Sequence, residues 1–154
     1  MQKLPIGIHT FRRLREDNCV YVDKTEYAYN LITRGYRYFL ARPRRFGKSL
    51  FVSTLSEILH GNKQLFNDLW ITQSDYQWKP HGVIQLDFSG IAGQTVEQFE
   101  NGLKHVLVEI AQQYKLNIDI TSDRPDLILR NLIKTLRENF NHVALLVDEY
   151  DSPI

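Results

Sequence analysis

The segment Val143-Ala144-Leu145-Leu146-Val147-Asp148-Glu149 constrains the fold of this chain more than any other. Five consecutive apolar residues are far too few to cross a membrane as a helix, which needs about 20. They lack the polar alternation of a strand with one solvated face, so they fit a strand covered on both faces. Such strands belong to parallel sheets flanked by helices. The sequence therefore predicts an α/β domain.

Two earlier segments also have strand character, residues 36–41 and residues 83–88. Helical patterns separate the three strands, and residues 1–35 read as a helical preamble. The first predicted helix has an N-cap at Thr25 and ends at Gly35, and the second starts near Lys48 and ends at Gly61-Asn62. The third helix starts with a capping box formed by Thr95 and Gln98, and the fourth starts near Asp123 and Pro125. The order strand, helix, strand, helix, helix, strand predicts a mostly parallel sheet flanked by helices.

Composition excludes several classes of protein. The chain has 154 residues, of which 43% are hydrophobic, so it can bury a core and is not intrinsically disordered. Nineteen basic residues against 18 acidic ones give a net charge of +1, which provides no global field for nucleic acid or an anionic membrane. The single cysteine, Cys19, rules out an internal disulfide. With no apolar run of membrane-spanning length, we expect a cytoplasmic protein.

The tripeptide Gly47-Lys48-Ser49 lies between the predicted strand 36–41 and the helix that starts near Lys48. A phosphate-binding P-loop ends in Gly-Lys-Ser or Gly-Lys-Thr in this setting, although its first glycine is replaced by Arg42 here. The glycine lets backbone N–H groups approach a phosphate, the lysine bridges β- and γ-phosphate oxygens, and the hydroxyl ligates Mg²⁺. The alternative is a basic loop in which these residues only begin a helix.

The acidic pair Asp148-Glu149 follows the apolar strand in the Walker B pattern. A carboxylate at the carboxyl end of a parallel strand faces the crevice where ligands bind. Asp148 would hold Mg²⁺ and Glu149 would orient the attacking water, with Lys48 as the second catalytic group. A core strand ending in a solvated acidic turn is the alternative. The two motifs together favour a nucleotide site.

Other charged residues leave their roles open. Asp87 also ends a predicted strand, where it either joins the site or caps its own loop. Arg42, Arg44 and Arg45 form one dense basic cluster that suits either a triphosphate or the phosphates of a nucleic acid.

The chain resembles the AAA-ATPase-like domain found at the N-terminus of many bacterial proteins. The resemblance is carried by four stretches that together span nearly the whole sequence: Leu4-Pro5-Ile6-Gly7, Tyr21-Val22-Asp23-Lys24-Thr25, Arg42-Pro43-Arg44-Arg45-Phe46-Gly47-Lys48-Ser49-Leu50 and Leu146-Val147-Asp148-Glu149-Tyr150-Asp151-Ser152-Pro153. The third stretch is a hallmark of that family, and it includes the arginine at position 42.

This resemblance implies a P-loop NTPase-type fold in which residues 36–154 form the core through Walker B. It implies ATP as the nucleotide and Mg²⁺ as the metal, with Ser49 and Asp148 as metal contacts. The implied nucleotide-binding residues are Arg44, Arg45, Phe46, Gly47, Lys48, Ser49 and Leu50. The resemblance also suggests that Asp23, Lys24 and Thr25 lie near the nucleotide, and leaves the individual roles of these three, and of Asp151, open.

Family members often continue into further ATPase segments and a C-terminal PD-(D/E)XK nuclease-like domain. ATPases of this class carry another strand, a sensor residue and an arginine finger after the Walker B acids. We therefore expect this chain to be part of a longer protein, with C-terminal strands missing from its sheet and with self-association or the nuclease-like domain as further partners. Three functions follow: a Mg²⁺-dependent ATPase module, a nucleotide switch or remnant without turnover, and a basic-loop nucleic-acid binder.

Overall fold

The computed structural model describes residues 2–41, 43, 46–91, 95–119 and 122–150. Two compact units form along the chain, Met1–Pro80 and His81–Ile154, called here the N-terminal and C-terminal units. The predicted residues Arg42, Arg44, Arg45 and Asp151 lie outside the described part of the chain. The fold combines helices with a small parallel sheet.

The described residues of the N-terminal unit form the α-helices α1 (Phe11–Glu16), α2 (Thr25–Arg34) and α3 (Lys48–Leu59), followed by the 3₁₀ turns Lys63–Phe66 and Trp70–Gln73. The predicted start and end of α3 are confirmed. Gly61 has a left-handed φ of 77°, and the amides of Gly61 and Asn62 donate to the carbonyls of Ile58 and Glu57. This is the Schellman pattern, in which glycine is favoured at the left-handed position because it has no Cβ.

The core of the N-terminal unit is built around aromatic rings. Phe11 from α1 stacks on Phe66 with ring centroids 4.6 Å apart, and Trp78 packs against Phe66 at 5.2 Å. Ala28 from α2 and Ile58 from α3 are both fully buried in the same cluster. Phe51 and Leu55, two turns and one turn before Ile58 on α3, are partly buried against the same cluster.

The predicted N-cap at Thr25 is wrong by one position. Lys24 occupies the cap position without a side-chain hydrogen bond, and Thr25 is the first residue of α2. Asp23 takes the capping role instead, because its Oδ1 accepts a hydrogen bond from the Thr25 amide at 2.8 Å.

The predicted strand at residues 36–41 is also wrong, since this segment has no strand structure. Its apolar side chains are exposed at Tyr36, Tyr38, Phe39 and Leu40. Aromatic residues favour strands because they pack on a pleated, half-buried surface beside a hydrogen-bonded neighbour. The two strands that form in the described part of the chain pair with each other, and the large side chains of segment 36–41 are not buried.

The C-terminal unit has the order β1 (Gly82–Asp87), α4 (Val96–Gln113), α5 (Pro125–Asn139) and β2 (Val143–Asp148). The strands are parallel, as predicted, and their register pairs Gly82 with Val143 and Asp87 with Asp148. The predicted cap of α4 is confirmed, because the Thr95 hydroxyl accepts a hydrogen bond from the Gln98 amide at 3.2 Å.

The core of the C-terminal unit lies between the sheet and its helices. Ile84 from β1, Leu107 from α4 and Leu132 from α5 are fully buried in one cluster. The prediction that β2 is buried on both faces is wrong: Leu145 is 48% exposed and Val147 is 39% exposed. In the described residues β1 is the one strand that pairs with β2, so only one edge of β2 has a strand neighbour there.

Among the described residues, no helix combines the length and the apolar character that crossing a membrane requires.

Candidate functional site

Gly47 marks the start of the candidate phosphate-binding loop. Its backbone is left-handed, with φ 75° and ψ 27°, and its carbonyl accepts the first helical hydrogen bond of α3 from the Phe51 amide. This conformation is routine for glycine and costly for other residues. The chain therefore changes direction at Gly47 and enters α3 directly at Lys48.

The first amides of α3 point away from the helix without an intrahelical acceptor, as at every helix N-terminus. No side-chain cap satisfies them within the described residues. These N–H groups and the positive end of the helix dipole form a favourable environment for an anion such as phosphate.

The predicted contact residues surround this helix start. Lys48 is half-buried, Ser49 and Phe46 are exposed, and Leu50 is half-buried. Neither the Lys48 ammonium nor the Ser49 hydroxyl has a hydrogen bond or ion pair within the described part of the chain.

In the segment Asp23-Lys24-Thr25, two residues have structural hydrogen bonds, and the third, Lys24, has an ammonium group without a hydrogen bond or ion pair in the described part of the chain. Asp23 Oδ1 accepts from the Thr25 hydroxyl at 2.7 Å, and Asp23 Oδ2 accepts from the Trp70 amide at 2.7 Å. Thr25, which is fully buried, accepts through Oγ1 from the Ile71 amide at 3.1 Å. These bonds tie α2 to the 3₁₀ turn Trp70–Gln73, which leaves Lys24 as the residue facing the loop.

Lys24 lies beside Gly47. A Cβ placed on Gly47 would be 3.9 Å from the Lys24 Nζ, so this second ammonium sits next to the residue that precedes α3. Sequence reasoning placed Lys24 near the site only through the family resemblance and gave it no role. No local sequence pattern could identify this contact, because 22 residues separate Lys24 from the tripeptide.

The candidate acidic site of the C-terminal unit lies at the carboxyl end of its sheet. Asp148 is the last residue of β2, is 8% exposed, and accepts through Oδ1 from the Glu149 amide at 3.0 Å. Glu149 leaves the strand with a left-handed φ of 50°. Asp87 lies at the matching end of β1 and accepts through Oδ1 from the Ser89 amide at 2.9 Å.

The structure thus brings the predicted residues together in two groups. Lys24, Gly47, Lys48 and Ser49 form one group in the N-terminal unit; Asp87, Asp148 and Glu149 form the other in the C-terminal unit. Carboxylate and hydroxyl oxygens are the ligands that Mg²⁺ prefers, so the chemistry of Ser49 and Asp148 fits that ion. Among the described residues, no cluster of three or more His, Cys, Asp or Glu forms a self-contained metal site.

Comparison with known proteins decides the family. A family model described as "Predicted AAA-ATPase" (AAA-ATPase-like) matches residues 5–154. The chain belongs to the AAA-ATPase-like family. The match includes both the Gly47-Lys48-Ser49 loop and the Asp148-Glu149 pair, and it supports nucleotide binding.

A relative of this AAA-ATPase-like chain occurs in Azotobacter chroococcum mcd 1, described as "Uncharacterized protein in vnfD 5'region". The two are 40% identical over 156 residues, which cover 99% of this chain and 30% of the relative. The chain therefore spans less than a third of the relative's length. No solved structure matches the chain significantly.

Proposed function

We propose that this AAA-ATPase-like chain is a Mg²⁺-dependent ATP-binding module with a P-loop NTPase-type core. The observation that carries the proposal is the left-handed Gly47 immediately before α3, with helix amides that no described side chain caps and with Lys24 and Lys48 beside it, neither of which has an ion pair among the described residues. This arrangement concentrates positive charge and N–H donors on one point, as a polyphosphate requires.

In this proposal the Lys48 ammonium contacts the β- and γ-phosphates, and backbone amides after Gly47 cradle them. Arg44, Arg45, Phe46 and Leu50 complete the nucleotide contacts. Ser49 and Asp148 hold Mg²⁺, which when bound neutralises phosphate charge.

Hydrolysis is the second part of the proposal. Glu149 follows Asp148 directly, where a carboxylate orients and polarises the attacking water. We propose ATP binding for this chain, and ATP hydrolysis for a protein in which a sensor residue and an arginine finger complete the site.

Isothermal titration calorimetry with ATP tests the binding proposal. We expect Lys48→Ala to weaken binding by roughly 10- to 100-fold, the usual effect of losing a charge-assisted hydrogen bond. Lys63→Ala, an exposed lysine on the 3₁₀ turn Lys63–Phe66, is the matched control and should bind like the wild type. Glu149→Gln should retain binding, and chelation of Mg²⁺ or Asp148→Asn should weaken it.

Two results would count against the proposal. Wild-type protein that binds no ATP in the presence of Mg²⁺ would exclude a nucleotide site. Salt-sensitive binding to DNA without ATP binding would instead favour the basic loop as a nucleic-acid contact.

A further inference from the structure

A cavity of about 190 Å³ lies in the N-terminal unit beside the candidate phosphate-binding loop. Its walls are mostly hydrocarbon, with Leu14, Val20, Leu50 and Phe51 among the lining residues. Gly47 and Lys24 also line it. The cavity is therefore mostly apolar, and its lining includes one lysine and the loop glycine.

Lys24 brings a positive charge to the lining of this cavity. Lys24 is half-buried, and within the described residues its ammonium makes no hydrogen bond or ion pair. The residues on either side of it are held in place, Asp23 by the Trp70 amide and Thr25 by the Ile71 amide. The Lys24 backbone is thus fixed, and its side chain is directed to Gly47.

The size of the cavity limits what can enter. Pockets that enclose a whole drug-sized ligand measure about 300–1,000 Å³, so this cavity accommodates only part of a nucleotide. A flat, largely apolar ring suits walls formed by Phe51 and aliphatic side chains. The charged remainder of the ligand would then lie outside the cavity, towards Lys24 and the first amides of α3, because Gly47 lines the cavity and directly precedes that helix.

We propose that this cavity takes the base of the nucleoside triphosphate, and that Lys24 is a second phosphate-binding cation across the loop from Lys48. The inference rests on the proposed function and adds to it the location of the base and a role for Lys24. Leu50 then contributes to binding through the cavity wall, whereas Asp23 and Thr25 act by holding the segment that carries Lys24.

Two ligands separate the two parts of the inference: Mg²⁺–ATP, which has a base, and Mg²⁺–tripolyphosphate, which does not. We expect Lys24→Met to weaken binding of both ligands by roughly 10-fold or more, because both lose a charge-assisted contact. Lys24→Arg should restore most of the affinity. Lys63→Met, the same change at an exposed lysine outside the cavity, should alter neither.

Filling the cavity should affect only ATP. Val20→Trp places a large ring into the space from a side chain that is already 39% exposed, and Val22→Trp does so from one that is 72% exposed. Each should lower the ATP affinity towards that of tripolyphosphate and leave tripolyphosphate binding unchanged. Two blocking variants guard against one of them failing to fold, which thermal unfolding monitored by circular dichroism would reveal.

The outcomes distinguish this inference from the proposed function. If Lys48→Ala weakens ATP binding while Lys24→Met binds like the wild type, the role of Lys24 is wrong and the ATP site stands. If both folded tryptophan variants bind ATP normally, the base lies elsewhere. If the wild type binds neither ligand, the proposed function and this inference both fail.

Discussion

Asp87 and Asp148 are register partners at the carboxyl ends of the two parallel strands. Each carboxylate uses Oδ1 to accept a backbone amide of the turn that follows its strand, from Ser89 and Glu149 respectively. Partners in a parallel register share a face of the sheet, and adjacent strands lie about 4.8 Å apart. Two negative charges therefore sit side by side at this edge, and a cation would relieve their repulsion.

This relationship predicts that Asp87→Asn stabilises the protein in the absence of divalent cations. The asparagine carbonyl can still accept from Ser89, while the like-charge pair is removed, so the free energy of unfolding should rise by about 0.2–1 kcal/mol. Urea unfolding at low salt measures this change. Asp68→Asn is the control, because it makes the same charge change at an exposed residue whose φ of 66° asparagine tolerates. Equal shifts in both variants would show that net charge, and not the pair, is responsible.

Two left-handed glycines, Gly47 and Gly7, allow a loss of stability to be distinguished from a loss of ATP binding. Gly47→Ala and Gly7→Ala both place a Cβ on a residue with φ of 70–75°, and neither Cβ meets an atom closer than 3.9 Å. Each should therefore cost about 1–2 kcal/mol of stability through backbone strain alone. Only Gly47→Ala should also weaken ATP binding, since only its Cβ lies where phosphate approaches the α3 amides. Calorimetric titration of both variants with Mg²⁺–ATP checks this, and an equal loss of affinity would contradict the assigned loop.

The helices of this chain could be predicted from sequence because their signals are local. Thr95 and Gln98 are three residues apart, and Gly61 immediately follows the last turn of α3, so the relevant hydrogen bonds close within a few positions. The two paired strands were predicted for a related reason, since their apolar runs end in turn residues that stop the ladder.

The features that could not be predicted from sequence depend on residues that are distant in the chain. Segment 36–41 has the composition of a strand, but a strand exists only where another strand accepts its hydrogen bonds. The exposure of Leu145 likewise depends on which parts of the folded chain pack against β2, and the apolar run alone does not specify them. The position of Lys24 beside Gly47 results from hydrogen bonds that join Asp23 and Thr25 to residues 70 and 71, a separation no local pattern encodes.

The Thr25 hydroxyl provides a test of that long-range link. It donates to Asp23 and accepts from the Ile71 amide inside a fully buried site. Thr25→Val keeps the shape but leaves the amide unpaired, so we expect a loss of about 1–3 kcal/mol in the free energy of unfolding. Thr25→Ser, which retains the hydroxyl, should lose less. Chemical denaturation of the three proteins decides, and a valine variant as stable as the wild type would show that the link contributes nothing.

Tyr76 predicts a pH dependence at the alkaline limit. Its ring packs edge-on against Trp78 at 5.2 Å, and its hydroxyl is buried with no hydrogen-bond partner among the described residues. Burial disfavours the charged phenolate and raises the pKa of Tyr76 from 10.0 to about 12. The unfolded chain releases this proton at a lower pH than the folded protein does. The free energy of unfolding is therefore independent of this group below about pH 10, and it falls as the pH rises towards about 12.

Tyr76→Phe should remove this loss. At neutral pH the variant should be as stable as the wild type or more stable, since an unpaired buried hydroxyl contributes no hydrogen bond and is costly to desolvate. Between about pH 10 and about pH 12 its advantage should grow, because phenylalanine has no proton to release. Tyr27→Phe, at a side chain that is 68% exposed, is the control and should follow the wild type. Urea unfolding across this range measures the difference, and a constant gap between Tyr76→Phe and the wild type would mean that the hydroxyl reaches solvent in the folded protein.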